Sequence, residues 1–552
     1  MTSAGQRRRV VSAVGASAAL ALVLAACAET ENIDGGGNEQ GDGGNGGGNG
    51  GGGITVGTTD VITSLDPAGS YDNGSFAVQN QVYPFLMNTP YGSPDVEPDI
   101  AESAEFTAPA EYTVTLKEGL TFANGNELTS SDVKFTFDRQ LEIADPNGPS
   151  SLLYNLDSVE APDDRTVVFH LNSENDQTFP QILSSPVGPI VDEDVFSATE
   201  LTPSEEIVDG NAFAGQYTIT DYTENELIRY QAFEDYQGLL DPAETDVITA
   251  QYFTEETQLK LAVQEGDVDV AFRTLSPTDL ADLREDGNVT VHDGPGGEIR
   301  YIVFDFGTQP YGTETAEADE EQALAVRQAA AHLLDREALS QEIYQETYTP
   351  LYSYVPEGLT GAIEPLREMY GDGQGGPDAE AAASVLEEAG IETPVELNLQ
   401  YSPDHYGNSS DEEYAMIESQ LETDGLFEVN LQSTLWDTYN AERVEGVYPA
   451  YQLGWFPDYS DADNYLSPFF LEDNFLVNGY SDEEVQETIL AQATTEDEAE
   501  RTALIEEAQR LVAEDLSTLP YLQGAQVAVS ATDITGVTLD PSFKFRYAPL
   551  GR

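Results

Sequence analysis

The sequence predicts an α/β protein built of at least two lobes, and three observations carry that expectation. The chain has 552 residues, more than a single growing core accommodates, so it divides into lobes with ample buried surface. Short runs alternating apolar and polar residues at period two interleave with stretches whose apolar residues recur at helical spacing, the pattern of α/β folds. The single cysteine, Cys27, excludes an internal disulfide framework and any cysteine-based zinc or iron–sulfur site.

Taken in order, residues 1–26 carry Arg7, Arg8 and Arg9, then an apolar run from Val10 to Leu24, and no acidic residue. This is the pattern of a secretory signal peptide. From Gly35 to Gly53 the chain is nearly all glycine, asparagine and acids, a composition that buries nothing and acts as a tether. Residues 27–53 therefore read as a linker, with a random-coil reach on the order of 25–30 Å. The folded part opens with a strand at Ile54–Gly57 and a helix from about Ser75 to Leu86. Tyr112, Val114 and Leu116 alternate with Thr113, Thr115 and Lys117 in a half-buried strand, followed by turns at Lys117–Gly119 and Phe122–Gly125. Thr129 to Asp132 form a capped helix start, and Thr166–Leu171 is a second alternating strand. Helices follow around Val326–Leu334, at Ala379–Gly390, after a capping box at Ser481–Glu484, and over Leu504–Val512; strands fall at Val395–Gln400, Val447–Leu453 and Gln526–Ser530.

Charge and missing motifs exclude several functions. The formal net charge is −81, with 102 acids and only four lysines, a field that repels nucleic acid and anionic lipid. Dense surface carboxylates suit a saline or alkaline exterior, where salt screens them. There is no Gly-x-Ser-x-Gly elbow, and His170, His292, His332 and His405 are scattered, with His332 placed inside a packed helix. No cofactor is expected. A calcium loop beginning at Asp461 and Asp463 and ending at Glu472 fails at Tyr465 and Leu466, where an oxygen ligand and a glycine are required. Glycosidase carboxylate pairs remain open, because their spacing exists only in three dimensions.

The run from Tyr112 to Phe137, YTVTLKEGLTFANGNELTSSDVKFTF, resembles the hallmark of the family 5 extracellular solute-binding proteins of peptide and nickel ABC importers. Asn124 stands where the family has aspartate and Ser130 where it has alanine. Leu65-Asp66-Pro67, Ala214 to Tyr217, Leu261 to Ala271 and Val326 to Leu339 match further landmarks in order, and Leu24-Ala25-Ala26-Cys27 resembles a bacterial lipobox. The resemblance implies a bilobal, periplasmic-binding-protein-like fold of type II, in the large peptide-binding branch. Lobe I would hold residues 54–300 and 524–552, including an extra subdomain at 91–212, and lobe II residues 301–523. The chain would cross near Arg300-Tyr301 and Gln523-Gly524.

The stretch Gly454 to Tyr465, GWFPDYSDADNY, resembles the family's Gly-Trp-x-x-Asp-x-x-Asp-Pro-Asp-Asn-Phe motif, with Ala462 replacing the proline and Tyr465 the phenylalanine. The resemblance implies that Asp458 pairs with a ligand's α-ammonium and that Trp455 offers it an apolar or cation–π face. Asp461 and Asp463 are expected to shape the turn. Tyr71 and Asn73 fall, by spacing from Leu65-Asp66-Pro67, where relatives touch the ligand from the other lobe, and Tyr401 ends a strand as a further cleft candidate. The expected protein is a non-enzymatic, monomeric receptor, held at the extracellular face of the membrane by a lipid on Cys27, that hands dipeptides or oligopeptides to an ABC permease and its ATPase. Nickel chelates, sugars and other small solutes are the alternative ligands, and an extracellular glycoside hydrolase or peptidase the alternative class.

Overall fold

A computed structural model describes residues 53–552 apart from 274, 408 and 473. The signal segment, the tether and Cys27 lie outside the described residues. Three sheets organise the rest. The first has seven strands in the order Val289–Gly294, Gln526–Ala531, Val270–Phe272, Ile54–Thr58, Val247–Tyr252, Leu227–Ala232 and Tyr217–Thr223. The second has six, in the order Tyr348–Pro350, Thr518–Gly524, Ile299–Phe304, Ala450–Trp455, Val395–Tyr401 and Phe427–Ser433. A four-stranded antiparallel sheet is formed by Ala101–Ala108, Glu111–Leu116, Thr166–Leu171 and Leu156–Asp163. Each supports its own hydrophobic cluster, and Tyr459 from the motif stretch joins the one under the four-stranded sheet.

Local chemistry accounts for most boundaries. The Thr129 side chain and Asp132 make a reciprocal capping box that starts the helix Ser130–Ile143, satisfying two otherwise free N–H groups. The first helix spans Asn73–Val82, capped by Asp72, whose carboxylate accepts from Ser75 N at 2.8 Å. It ends before the predicted Leu86 because Pro84 cannot continue it. The helix Glu483–Thr494 is capped by Asp482 rather than opened by a box at Ser481. The strand expected at Val447–Leu453 lies at Ala450–Trp455, since Gly446 takes a left-handed φ of 70° and Pro449 precedes the paired residues. In the helix Glu320–Leu333 the residues Val326, Ala329, Ala330 and Leu333 are buried in the second core, and His332 accepts a hydrogen bond from Gly371 N at 2.9 Å. Asp66 of the opening motif is fully buried. It binds Arg139 in a two-pronged ion pair at 2.8 Å and accepts from Thr202 N at 2.7 Å.

The chain leaves the first sheet at Gly294, enters the second at Ile299, and returns between Gly524 and Gln526. The two passages touch. A Cβ on Gly296 would lie 1.6 Å from the Gly524 carbonyl oxygen, Gly524 N donates to Glu298 O at 2.9 Å, and Gln523 Nε2 donates to Gly296 O at 2.7 Å. Among the described residues no helix is long and apolar enough to cross a membrane.

Candidate functional site

The strand Ala450–Trp455 brings the motif stretch to the place where the two large sheets meet. It pairs with Ile299–Phe304, with Trp455 opposite Ile299 and Gly454 opposite Arg300. Beyond Trp455 the chain turns through Phe456 and Pro457 to Asp458, and Asp461 then caps a short helical turn, Ala462–Tyr465. Asn464 fixes this loop from within. Its Oδ1 accepts from Trp455 Nε1 at 3.0 Å and from Asp458 N at 2.9 Å, while its Nδ2 donates to Asp458 Oδ2 at 3.1 Å. The Tyr71 hydroxyl donates to Asp458 Oδ1, reaching it from just ahead of the Asp72 cap. Burial pushes the Asp458 carboxyl up from its usual range, and the bonds from Tyr71 and Asn464 oppose that shift.

The neighbouring acids are committed elsewhere. Asp461 holds Arg501 in a two-pronged ion pair at 2.9 and 2.7 Å. Asp463 is fully buried, accepts from Ser467 Oγ at 2.6 Å and from Gln492 Nε2, and is pushed up to about 6 by burial.

Asp458 lines a cavity of about 400 Å³ whose walls come from both large sheets and the segments around them. Asn73 and Phe76 enter from the first helix, Phe272 and Arg273 from the end of a first-sheet strand, and Arg300, Tyr348 and His405 from the second-sheet side; Phe543 and Lys544 come from the C-terminal segment. Gly297 is the point of closest approach. A Cβ there would meet Pro457 at 2.5 Å and Phe543 at 2.8 Å, and its carbonyl accepts from the Tyr465 hydroxyl at 2.7 Å. Only glycine leaves room for those three segments to converge.

Of the residues singled out from sequence, Asp458 and Asn73 are on the cavity wall. Tyr71 is 42% exposed and joins the site through Asp458. Trp455 is not on the wall. It supports Asp458 through Asn464 and lays its ring edge-on against Phe469 at 5.0 Å. Tyr401 is also off the wall, stacked on Tyr414 at 5.4 Å.

Sequence reasoning left the basic groups unassigned. Arg300 is 3% exposed, its Nε donates to Glu298 at 2.6 Å, and its Nη2 donates to the Tyr406 carbonyl at 2.8 Å and to the Tyr348 hydroxyl at 3.1 Å. Its Nη1 has no partner among the described residues. Burial works against the charge, and Glu298, Tyr348, Tyr344 and Glu413 together outweigh it. His405 stacks on Trp436 at 3.6 Å and is held down to about 4 by burial and by Arg300, so its imidazole is neutral. Arg273 extends over the Phe456 ring at 5.2 Å and faces Asp60 at 3.5 Å. Arg300 lies inside an apolar-looking strand, which hid it. Lys544 had one signal, the scarcity of lysine.

The arrangement offers a carboxylate, a guanidinium with a free donor, and aromatic walls. It is equipped to hold a small ligand bearing both charges.

Comparisons with known proteins agree in assigning a lineage. The model for "Bacterial extracellular solute-binding proteins, family 5 Middle" matches residues 95–476. The Dipeptide-binding protein of Escherichia coli K12 is 22% identical over 503 residues, covering 87% of this chain and 89% of its own. Heme-binding protein A of Haemophilus influenzae is 26% identical over 494 residues, covering 84% and 86%. The solved structure of HbpA2 from Haemophilus parasuis superposes with a TM-score of 0.75 at 20% identity, covering 90% of this chain and 99% of that one, which establishes the shared fold. The chain belongs to the family 5 bacterial extracellular solute-binding proteins.

Proposed function

We propose that this protein is the peptide receptor of an ABC importer, with a dipeptide or short oligopeptide as its ligand. The observation that carries the reading is that Asp458 and Arg300 line one cavity, and that the buried Nη1 of Arg300 has no partner among the described residues. Asp458 receives the ligand's α-ammonium, displacing the Tyr71 hydroxyl, and Arg300 receives a carboxylate. The register places Arg300 opposite Gly454, four residues before Asp458, a reach of at most about 14 Å along the strand direction. That suits a ligand of two to four residues. The dipeptide-binding relative supports the ligand class.

In this reading the two lobes, expected at residues 54–300 with 524–552 and at residues 301–523, divide at the paired passages Pro295–Glu298 and Ala525, where the chain changes sheet, and close over the ligand about them. Closure excludes water and strengthens both ion pairs. The monomeric receptor is tethered at the extracellular face by a lipid on Cys27 and docks on the permease, and its acidity is an adaptation to a saline or alkaline exterior.

Mass spectrometry of the molecules released on denaturing the purified protein tests the ligand class. Recovery of short peptides supports the reading; recovery of a tetrapyrrole, a sugar or a metal chelate in their place overturns it. Membrane retention of the Cys27→Ser variant would separately overturn the anchor.

A further inference from the structure

Lys544 is one of four lysines in a chain with 102 acids, and its surroundings differ from those of the others. Lys134 pairs with Asp138 at 2.6 Å, Lys260 with Asp279 at 2.8 Å and Asp282 at 2.7 Å, and Lys117 donates to the Gln237 and Gly238 carbonyls at a partly exposed position. Lys544 is 8% exposed. Its ammonium donates to Ser184 O at 2.8 Å, lies 3.5 Å from Asn88 Oδ1, and faces the rings of Phe85 at 5.4 Å and Phe76 at 5.9 Å. Among the described residues, no carboxylate pairs with it at ion-pair distance. A buried ammonium with one strong acceptor is under-satisfied, since it carries three donors.

Its position links it to the ligand site. Lys544, Ser184 and Phe76 all line the same cavity as Asp458 and Arg300, and Phe543, one residue earlier, touches Gly297. We propose that Lys544 is an anion subsite of this cavity that takes a second ligand carboxylate beside the one at Arg300, so that the favoured ligand is a short peptide with an acidic side chain. The proposal rests on the peptide reading above and adds the side-chain class to it.

The charges around the amine agree with that role. Arg546, two residues on, donates to Asn88 Oδ1 at 3.0 Å and to Thr89 Oγ1 at 2.7 Å, and adds positive potential. Asp540 is 4.0 Å from Arg546 Nη1, and Asp99 is taken by Leu239 N at 2.5 Å and by Asn88, so neither neutralises Lys544. Of the carboxylates on the cavity wall, Glu298 is engaged by Arg300 and by the Tyr348 hydroxyl at 2.7 Å, and burial pushes the Glu256 carboxyl up toward its neutral form. Burial, then Arg546, holds the Lys544 ammonium down to about 7, while Asp99 and Asp540 oppose the shift. A ligand carboxylate raises it again, so binding above neutrality draws in a proton.

Calorimetry on the whole protein with Ala-Glu and Glu-Ala, each against its amide counterpart Ala-Gln or Gln-Ala, tests this. We expect about a tenfold preference for the acidic member of at least one pair at neutral pH, the scale of a charge-assisted bond. The preference disappears in Lys544→Met, whose affinities for the acidic and amide members of the pair become equal. At about pH 8.5, binding of the preferred acidic peptide shows proton uptake, read as a heat that varies with the buffer's ionisation enthalpy, and the amide peptide shows none. The wild-type preference and proton uptake decide the matter even if the variant does not fold. Equal affinity within both pairs overturns the anion subsite and leaves the peptide reading standing. Failure of all four peptides to bind overturns both.

Discussion

Replacing Asp458 with asparagine removes one charge and almost no volume, which makes it the sharpest probe of the proposed ammonium site. At about 3 Å and an effective dielectric constant near 20, an ion pair is worth roughly 5 kcal/mol before desolvation. Folding has already half-buried this carboxylate, and that burial pushes its pKa up, so the main offset is stripping water from the ligand's ammonium, which consumes about half of that. The net loss expected for Asp458→Asn is therefore about 2–3 kcal/mol, or roughly 30- to 150-fold in Kd. Titration of wild type and variant with Ala-Ala and with N-acetyl-Ala-Ala closes a cycle. Acetylation should weaken wild-type binding by about the same factor and the variant's binding hardly at all. A variant that still discriminates the acetylated peptide as strongly as wild type refutes the assignment. The thermal midpoint should not fall, because the asparagine oxygen can accept from Asn464 Nδ2 and its amide can donate to the Tyr71 hydroxyl oxygen, replacing both bonds without the charge.

Three further outcomes follow from the described contacts. Asp463 is raised from 3.8 to about 6 by burial, so the folded protein holds a proton that the unfolded chain has lost; stability is full below about pH 4 and falls by about 3 kcal/mol as pH rises through 6. Asp463→Asn should flatten that slope in denaturant titrations run at successive pH values. Asp66→Ala leaves Arg139 buried without its counter-ion and should cost about 3–5 kcal/mol in urea unfolding; a loss below 1 kcal/mol would contradict the buried pair. Gly296→Ala drives a methyl group into the Gly524 carbonyl. The passages must separate, so ligand affinity should drop at least tenfold on the scale of an over-packed site, measured by the same titration, and an unchanged Kd would show that their contact does not matter for closure.

Much of the fold was legible because its signals are local. The alternation in Tyr112 to Leu116, the box at Thr129 and Asp132, and the spacing of Val326, Ala329 and Leu333 each depend on residues a few positions apart. Misplacements arose where a neighbour overrode the pattern: Pro84 ended the first helix early, and Gly446 with Pro449 delayed the strand that ends in Trp455. In the site, Asp458 was legible only through its motif. Arg300 and Lys544 were not, since their importance comes from the segments around Gly297, Pro457 and Phe543 meeting in space while lying far apart in the chain. Trp455 was assigned a ligand face, and its position off the wall reflects an indole N–H that found Asn464 within its own loop.

That loop has an evolutionary consequence. Asn464 sets the direction of the Asp458 carboxylate through groups between Trp455 and Asn464, and Tyr71 adds a bond from outside that loop, so most of the proposed ammonium clamp is built within one short stretch. The remaining walls, carried by Asn73, Arg273, Arg300 and Lys544, belong to four separate stretches of chain. A lineage can exchange any of these to accept a new cargo and inherit the clamp unchanged, which lets one scaffold diversify its diet without rebuilding its most demanding part.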